Sequence, residues 1–131
     1  MSNNEKEIRE LIDKWTAAIR AGDMEGILEK HSDGIVMFDV PVPMQSKGID
    51  EYKKTWELFF KMSKDGKVSF DLDELKIFCG EDTAFSHSLI KIFDFTCRLT
   101  MGFKKIDGKW LIVHEHHSAP HEDNSAPDKK E

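Results

Sequence analysis

Cysteine is nearly absent from this chain, basic residues are outnumbered, and no apolar run is long. Only Cys79 and Cys97 occur among 131 residues. Both lie in strand-like apolar runs, which excludes a disulfide framework and predicts buried free thiols in a reducing cytoplasm. Lysine and arginine total 19 against 25 acidic residues, a net charge of −6, so neither nucleic acid nor an anionic membrane is an expected partner. No run approaches the roughly 18 apolar residues that suggest a membrane span. Nucleophile motifs, phosphate-cradling glycine loops and CxxC are missing too, and no cofactor is expected. What the chain does have is 39% hydrophobic residues with nine Phe and three Trp, enough for one domain with a real core.

The most informative stretch is Asp107-Gly108-Lys109-Trp110 through Pro120. Asp-Gly is a strong hairpin signal, because both central residues of a type I′ turn need positive φ, so Cys97–Ile106 and Lys109–Ala119 are expected to pair. Alternation puts Trp110, Ile112, His114, His116 and Ser118 on one face and Leu111, Val113, Glu115 and His117 on the other. With a clean two-residue loop, Thr100 lies opposite Glu115, Arg98 opposite His117 and Met101 opposite His114. One extra residue, as a bulge, exchanges these partners.

Ahead of that hairpin, Ser2-Asn3-Asn4-Glu5 has capping-box spacing, and Ile8, Leu11, Ile12, Trp15, Ala18 and Ile19 recur at helical intervals up to Gly22. Asp23 caps a short helix, Met24–Lys30. Gly34 opens a short strand, Ile35–Phe38, closed by a loop with Pro41 and Pro43. A third helix, Ile49–Met62, carries the aromatic stripe Tyr52, Trp56, Phe59 and Phe60. From Lys67 onward Val68, Phe70 and Leu72 alternate and then Leu75 and Ile77 alternate in the opposite phase, which predicts a bulge near Asp73-Glu74. With Thr83–Phe95 the four strands make an antiparallel meander, so the order is α-α-β-α-β-β-β-β and the class α+β. A bent sheet over one long helix leaves a cone-shaped, mostly apolar cavity suited to a ligand.

Three segments in this order, Trp15–Ile27, the Phe38-Asp39-Val40-Pro41 turn followed by Gly48, and Asp107–Pro120, resemble the nuclear transport factor 2-like superfamily. The likeness is to its SnoaL-like and ketosteroid-isomerase-like members and covers about Glu5–Pro120. The last segment is also similar to the association domain of calcium/calmodulin-dependent protein kinases. The resemblance implies a conical α+β barrel, commonly a homodimer, with a pocket lined by the first helix, the loop after the first strand and the last two strands. It places Asp39 where the steroid isomerases keep their general base, Trp15 where they keep an oxyanion-binding Tyr, and Thr100 where they keep a protonated carboxylic acid. The last two are departures, since an indole N–H and a hydroxyl are poorer donors to a developing dienolate.

Each candidate has a plainer alternative. Asp39 is either a pocket base, set among the rings of Phe38, Trp15 and Trp56, or a turn cap accepting backbone N–H groups. Trp15 is core, pocket floor, or both. Arg98, Thr100, Glu115 and His117 form either a binding quartet or cross-strand pairs on a solvated or dimer face. His114 and His116 have the spacing of a metal pair, but alternation splits Glu115-His116-His117 between faces and leaves only His87 as a third ligand, so no metal is expected. Two functions follow. One is a SnoaL-like enzyme with Asp39 as acid/base and with Arg98, Thr100 and His117 holding a carbonyl or carboxylate substrate. The other is a non-catalytic ligand-binding or dimerisation module. A homodimer through the outer sheet face is expected because Trp110 or Leu111 has no helix to cover it. The domain is expected to span 1–120, with 121–131 a disordered polar tail. Deleting His121–Glu131 should leave the melting temperature nearly unchanged, because the tail has no apolar periodicity to bury; calorimetry showing a drop of several degrees contradicts this.

Overall fold

The computed structural model describes residues 3–63 and 68–121; the cap expected at Ser2, the strand start at Lys67 and the tail beyond His121 lie outside them. Helix α1 runs Asn3–Ala21 and buries Ile8, Leu11, Ile12, Trp15, Thr16, Ala18 and Ile19, the stripe that its period predicts. It closes in a Schellman motif: Gly22, at φ +70°, donates to the Ile19 carbonyl and Asp23 to the Ala18 carbonyl. Asp23 then caps α2, Met24–Leu28, by accepting from the Gly26 N–H at 3.1 Å.

Strand β1 begins at His31, earlier than its apolar run suggests, and ends at Phe38. After the proline loop come β2, Ser46–Lys47, and α3, Ile49–Met62. The remaining strands are β3 (Asp71–Cys79), β4 (Thr83–Ile92), β5 (Phe95–Ile106) and β6 (Lys109–Ser118). They form the predicted meander, and the bulge falls between Asp73 and Lys76, with Glu74 at φ 55°. The sheet as a whole is mixed, in the order β2-β1-β6-β5-β4-β3, because β1 docks parallel to β6. That arrangement matters for the site. Parallel pairing needs a long crossover, which lets the chain place His31, from its first third, beside the last strand.

One core joins the buried stripes of α1 and α3 to the inner face of the sheet: Ile90 from β4, Cys97, Leu99, Met101 and Phe103 from β5, and Trp110 and Ile112 from β6. Asn4 pins the start of α1 across this end, its side-chain oxygen accepting from Trp110 Nε1 and Lys105 Nζ. No helix among the described residues is long and apolar enough to cross a membrane.

The hairpin holds the decisive detail. Ile106 faces Lys109, and Asp107 (φ 51°) and Gly108 (φ 79°) form the two-residue turn. Four residues farther on, however, pairing jumps from Phe103–Ile112 to Gly102–His114, so Val113 is an extra residue in β6. A bulge switches the phase of alternation. Trp110 and Ile112 before it therefore share the inner face with Glu115 and His117 after it.

Candidate functional site

Glu115 is the most unusual residue in the fold, a carboxylate with 0% exposure at the centre of the inner face. An ion buried this deeply survives only where donors replace its water, and three converge on it. Tyr52 Oη on α3 donates at 2.6 Å, His31 Nε2 on β1 lies 2.5 Å away, and His117 Nε2, two residues along β6, is at 2.9 Å. Trp15 Nε1 backs the phenol at 3.2 Å. Burial pushes the Glu115 carboxyl up, but hydrogen bonds from His117 and His31, and the charge on each, pull it down to about 2. The carboxylate is thus ionised at neutral pH. Burial, followed by the neighbouring Glu115 charge, holds Tyr52 well above the ordinary value for a phenol, which keeps it a neutral donor.

His117 opens this buried cluster to the outside. Burial disfavours its charged form, yet the Glu115 hydrogen bond and charge, with that of Asp39, raise its pKa above the usual 6.5. It lines a small cavity of about 70 Å³ with Met37, Asp39, Thr55, Trp56, Phe59, Phe70 and Ile92. With Nε2 committed to Glu115, the proton or lone pair at Nδ1 is what His117 can offer a ligand. Asp39 sits at the end of β1, and its Oδ1 accepts from the Val40 N–H at 2.8 Å. One oxygen thus secures the turn, and the residue also borders the cavity.

The predicted quartet is not assembled. Because of the bulge at Val113, Arg98 pairs with Ser118 and Thr100 with His116, whereas Glu115 faces Met101 and His117 faces Leu99. Arg98 and Thr100 are exposed on the outer face and cannot hold a ligand beside His117. Trp15 is core, in edge contact with Trp56 and Phe70, and reaches the cluster through Tyr52 rather than by lining the cavity. Trp56 does line it. His114 and His116 lie on the outer face, where both pack edgewise on Phe38 and His114 Nδ1 meets the Val36 carbonyl. Among the described residues no group of three or more His, Cys, Asp or Glu has metal-holding geometry. The Glu115 oxygens already meet both imidazoles at hydrogen-bond length.

His31 and Tyr52 carry no signal of their own in the sequence, one ahead of a strand's apolar run and the other inside a helix stripe. The available clue was indirect: a carboxylate destined for the core requires donors from elsewhere. A larger cleft of about 230 Å³, between α1 and the β5–β6 turn, is bordered by Glu7, Glu10, Lys14, Lys30 and Lys109. Its rim mixes two acidic with three basic residues, and it shares no residue with the cluster.

Residues 8–122 match the SnoaL-like domain family. A nuclear transport factor 2-like protein of unknown function from Pseudomonas putida is 34% identical over 95% of this chain and 93% of its own, with a TM-score of 0.87. A proposed calcium/calmodulin dependent protein kinase II association domain from Xanthomonas campestris is 22% identical over 89% and 88%, TM-score 0.72. A proposed dehydratase of the same fold from Streptomyces avermitilis is 13% identical over 88% and 95%, TM-score 0.74. At those lower identities the likeness is one of fold. No curated protein matches the chain.

Proposed function

Since the chain belongs to the SnoaL-like domain family, we propose that its small cavity performs acid/base chemistry on a neutral carbonyl compound, with Asp39 as base and His117 as acid. The observation that carries this reading is His117 itself, tied at Nε2 to a buried carboxylate and bordering a cavity that it shares with Asp39. Asp39 takes a proton from the carbon beside the carbonyl. That C–H pair becomes a C=C bond, the C=O π pair moves to oxygen, and the His117 Nδ1 proton goes to that oxygen to give the enol. Reversal with a solvent proton exchanges or relocates the hydrogen. Exposure of Arg98 removes the cation that a carboxylate substrate needed, which favours a neutral one. In D2O the protein should accelerate deuterium incorporation at the α-carbons of cyclopentanone, and NMR showing no acceleration over buffer overturns the reading.

A homodimer through the outer sheet face is supported by exposed aromatics rather than by Trp110, which is buried. Phe78 and Phe85 are each 48% exposed and stack at 4.9 Å, and Phe38, His114 and His116 continue the patch. Light scattering should report twice 15.1 kDa, and a monomer at micromolar concentration contradicts it. The binding-module alternative predicts the same dimer without exchange activity.

A further inference from the structure

We propose that Tyr52 is a positioning residue for His117: by donating its hydroxyl to the second oxygen of Glu115, it draws off part of the charge that would otherwise hold the imidazole's proton. The proposal rests on the acid/base reading for its catalytic meaning, whereas the contacts that carry it involve no ligand. Glu115 is bound from two sides. His117 Nε2 meets Oε1 at 2.9 Å, while Tyr52 Oη donates to Oε2 at 2.6 Å and His31 Nε2 approaches the same Oε2 at 2.5 Å. Tyr52 thus works on His117 through the carboxylate. Unlike the imidazole of His31, the phenol does not change charge across the neutral range, because burial and the Glu115 charge hold it well above its ordinary pKa.

A general acid must also release its proton, and the best donors titrate near the operating pH. A histidine facing an unshared buried carboxylate would be locked in its charged form, because opposite charges attract more strongly where water is excluded. Hydrogen bonds to an ionised carboxylate lower its basicity, so a donor on Oε2 weakens the pull at Oε1. The phenol is well placed for this. It is 0% exposed, and Trp15 Nε1 donates to its oxygen at 3.2 Å, which polarises the O–H further. Trp15 thereby takes part in the site without bordering the cavity. Few other titratable groups face His117 among the described residues. Asp39 at the end of β1 adds a negative charge that also favours the imidazolium. On β5 the paired residue is the apolar Leu99, and two residues away burial keeps the Cys97 thiol neutral. From α3 the shared cavity receives only the uncharged Thr55, Trp56 and Phe59.

Tyr52 is the chain's single tyrosine, so 3-fluorotyrosine supplied during growth modifies this position alone. Ring fluorine makes the phenol a stronger donor, whereas Tyr52→Phe removes the donor and keeps the ring against His31 and Trp56. Nitrogen-15 NMR of the histidine side chains in the full chain should show the His117 pKa falling with fluorotyrosine. In Tyr52→Phe it should rise by about half a pH unit, as expected when part of one hydrogen bond is passed on through the carboxylate. Exchange at the α-carbons of cyclopentanone needs charged His117, so the basic limb of its pH profile should move down in the first protein and up in the second. A merely structural role would lower activity in both and leave both limbs in place. Any pattern other than opposite movements, whether no change or a change of the same sign in both, overturns the proposal. If Tyr52→Phe folds poorly, the fluorotyrosine protein decides alone, and a His117 pKa equal to or above that of the wild type overturns it. Opposite pKa movements without any exchange would sink the acid/base reading alone, and exchange with His117 indifferent to Tyr52 would sink this proposal alone.

Discussion

Replacing Glu115 by glutamine should destabilise the protein by about 3 kcal/mol at neutral pH, because it leaves three donors arranged around a group with one acceptor fewer and no charge. An amide oxygen can satisfy one or two of Tyr52 Oη, His31 Nε2 and His117 Nε2, but its NH2 must point at the third. For a domain of this size that is a fall of about 10 °C in melting temperature. The pH dependence is more diagnostic than the size. Glu115 has a folded pKa of about 2 against an ordinary 4.5, so its contribution is complete above 4.5 and is lost as pH falls from there through 2. His117 is raised above 6.5, so its contribution is complete below 6.5 and is lost as pH climbs through the raised value. Together they predict greatest stability from these two groups between about 4.5 and 6.5, with a decline on each side. Glu115→Gln should flatten both flanks. A variant as stable as wild type, or one whose loss is independent of pH, would mean that the cluster is not ionised as described.

The second large effect concerns turnover. Asp39→Asn keeps the shape and the Val40 N–H contact through its amide oxygen, so stability should stay within about 1 kcal/mol, while α-carbon deuterium exchange should fall at least 100-fold, the scale on which a positioned base acts. His117→Phe should lose exchange by a similar factor through loss of the oxygen's proton donor. The double variant should be scarcely worse than either single one, since the two act in one step. Two independent losses that multiply would show that the residues do not share a reaction.

Helices, meander, Asp107-Gly108 turn and the bulge at Asp73-Glu74 were legible because each is encoded locally, by period, by a capping residue, or by a phase change between apolar neighbours. The parallel docking of β1 was not, because nothing near His31 states which distant strand it will join. The bulge at Val113 was legible only as an alternative: polar His114 and His116 follow apolar Trp110 and Ile112 at even spacing, so alternation persists in the sequence where the backbone breaks it. That single residue decided the site. It sent Arg98 and Thr100 outward and turned Glu115 and His117 in. Asp39 and His117 were found as candidates, whereas His31 and Tyr52 emerge only from asking what neutralises a carboxylate at 0% exposure.

Buried Glu115 is expected to set both the tautomer and the charge of His117 for a ligand in the cavity. Nitrogen-15 NMR of the histidine side chains across pH tests it directly. The expected result is a His117 pKa above 6.5 and, on the basic side, a neutral ring protonated at Nε2 with a bare Nδ1. A His117 that titrates below 6.5, or whose neutral form carries its proton on Nδ1, would contradict it.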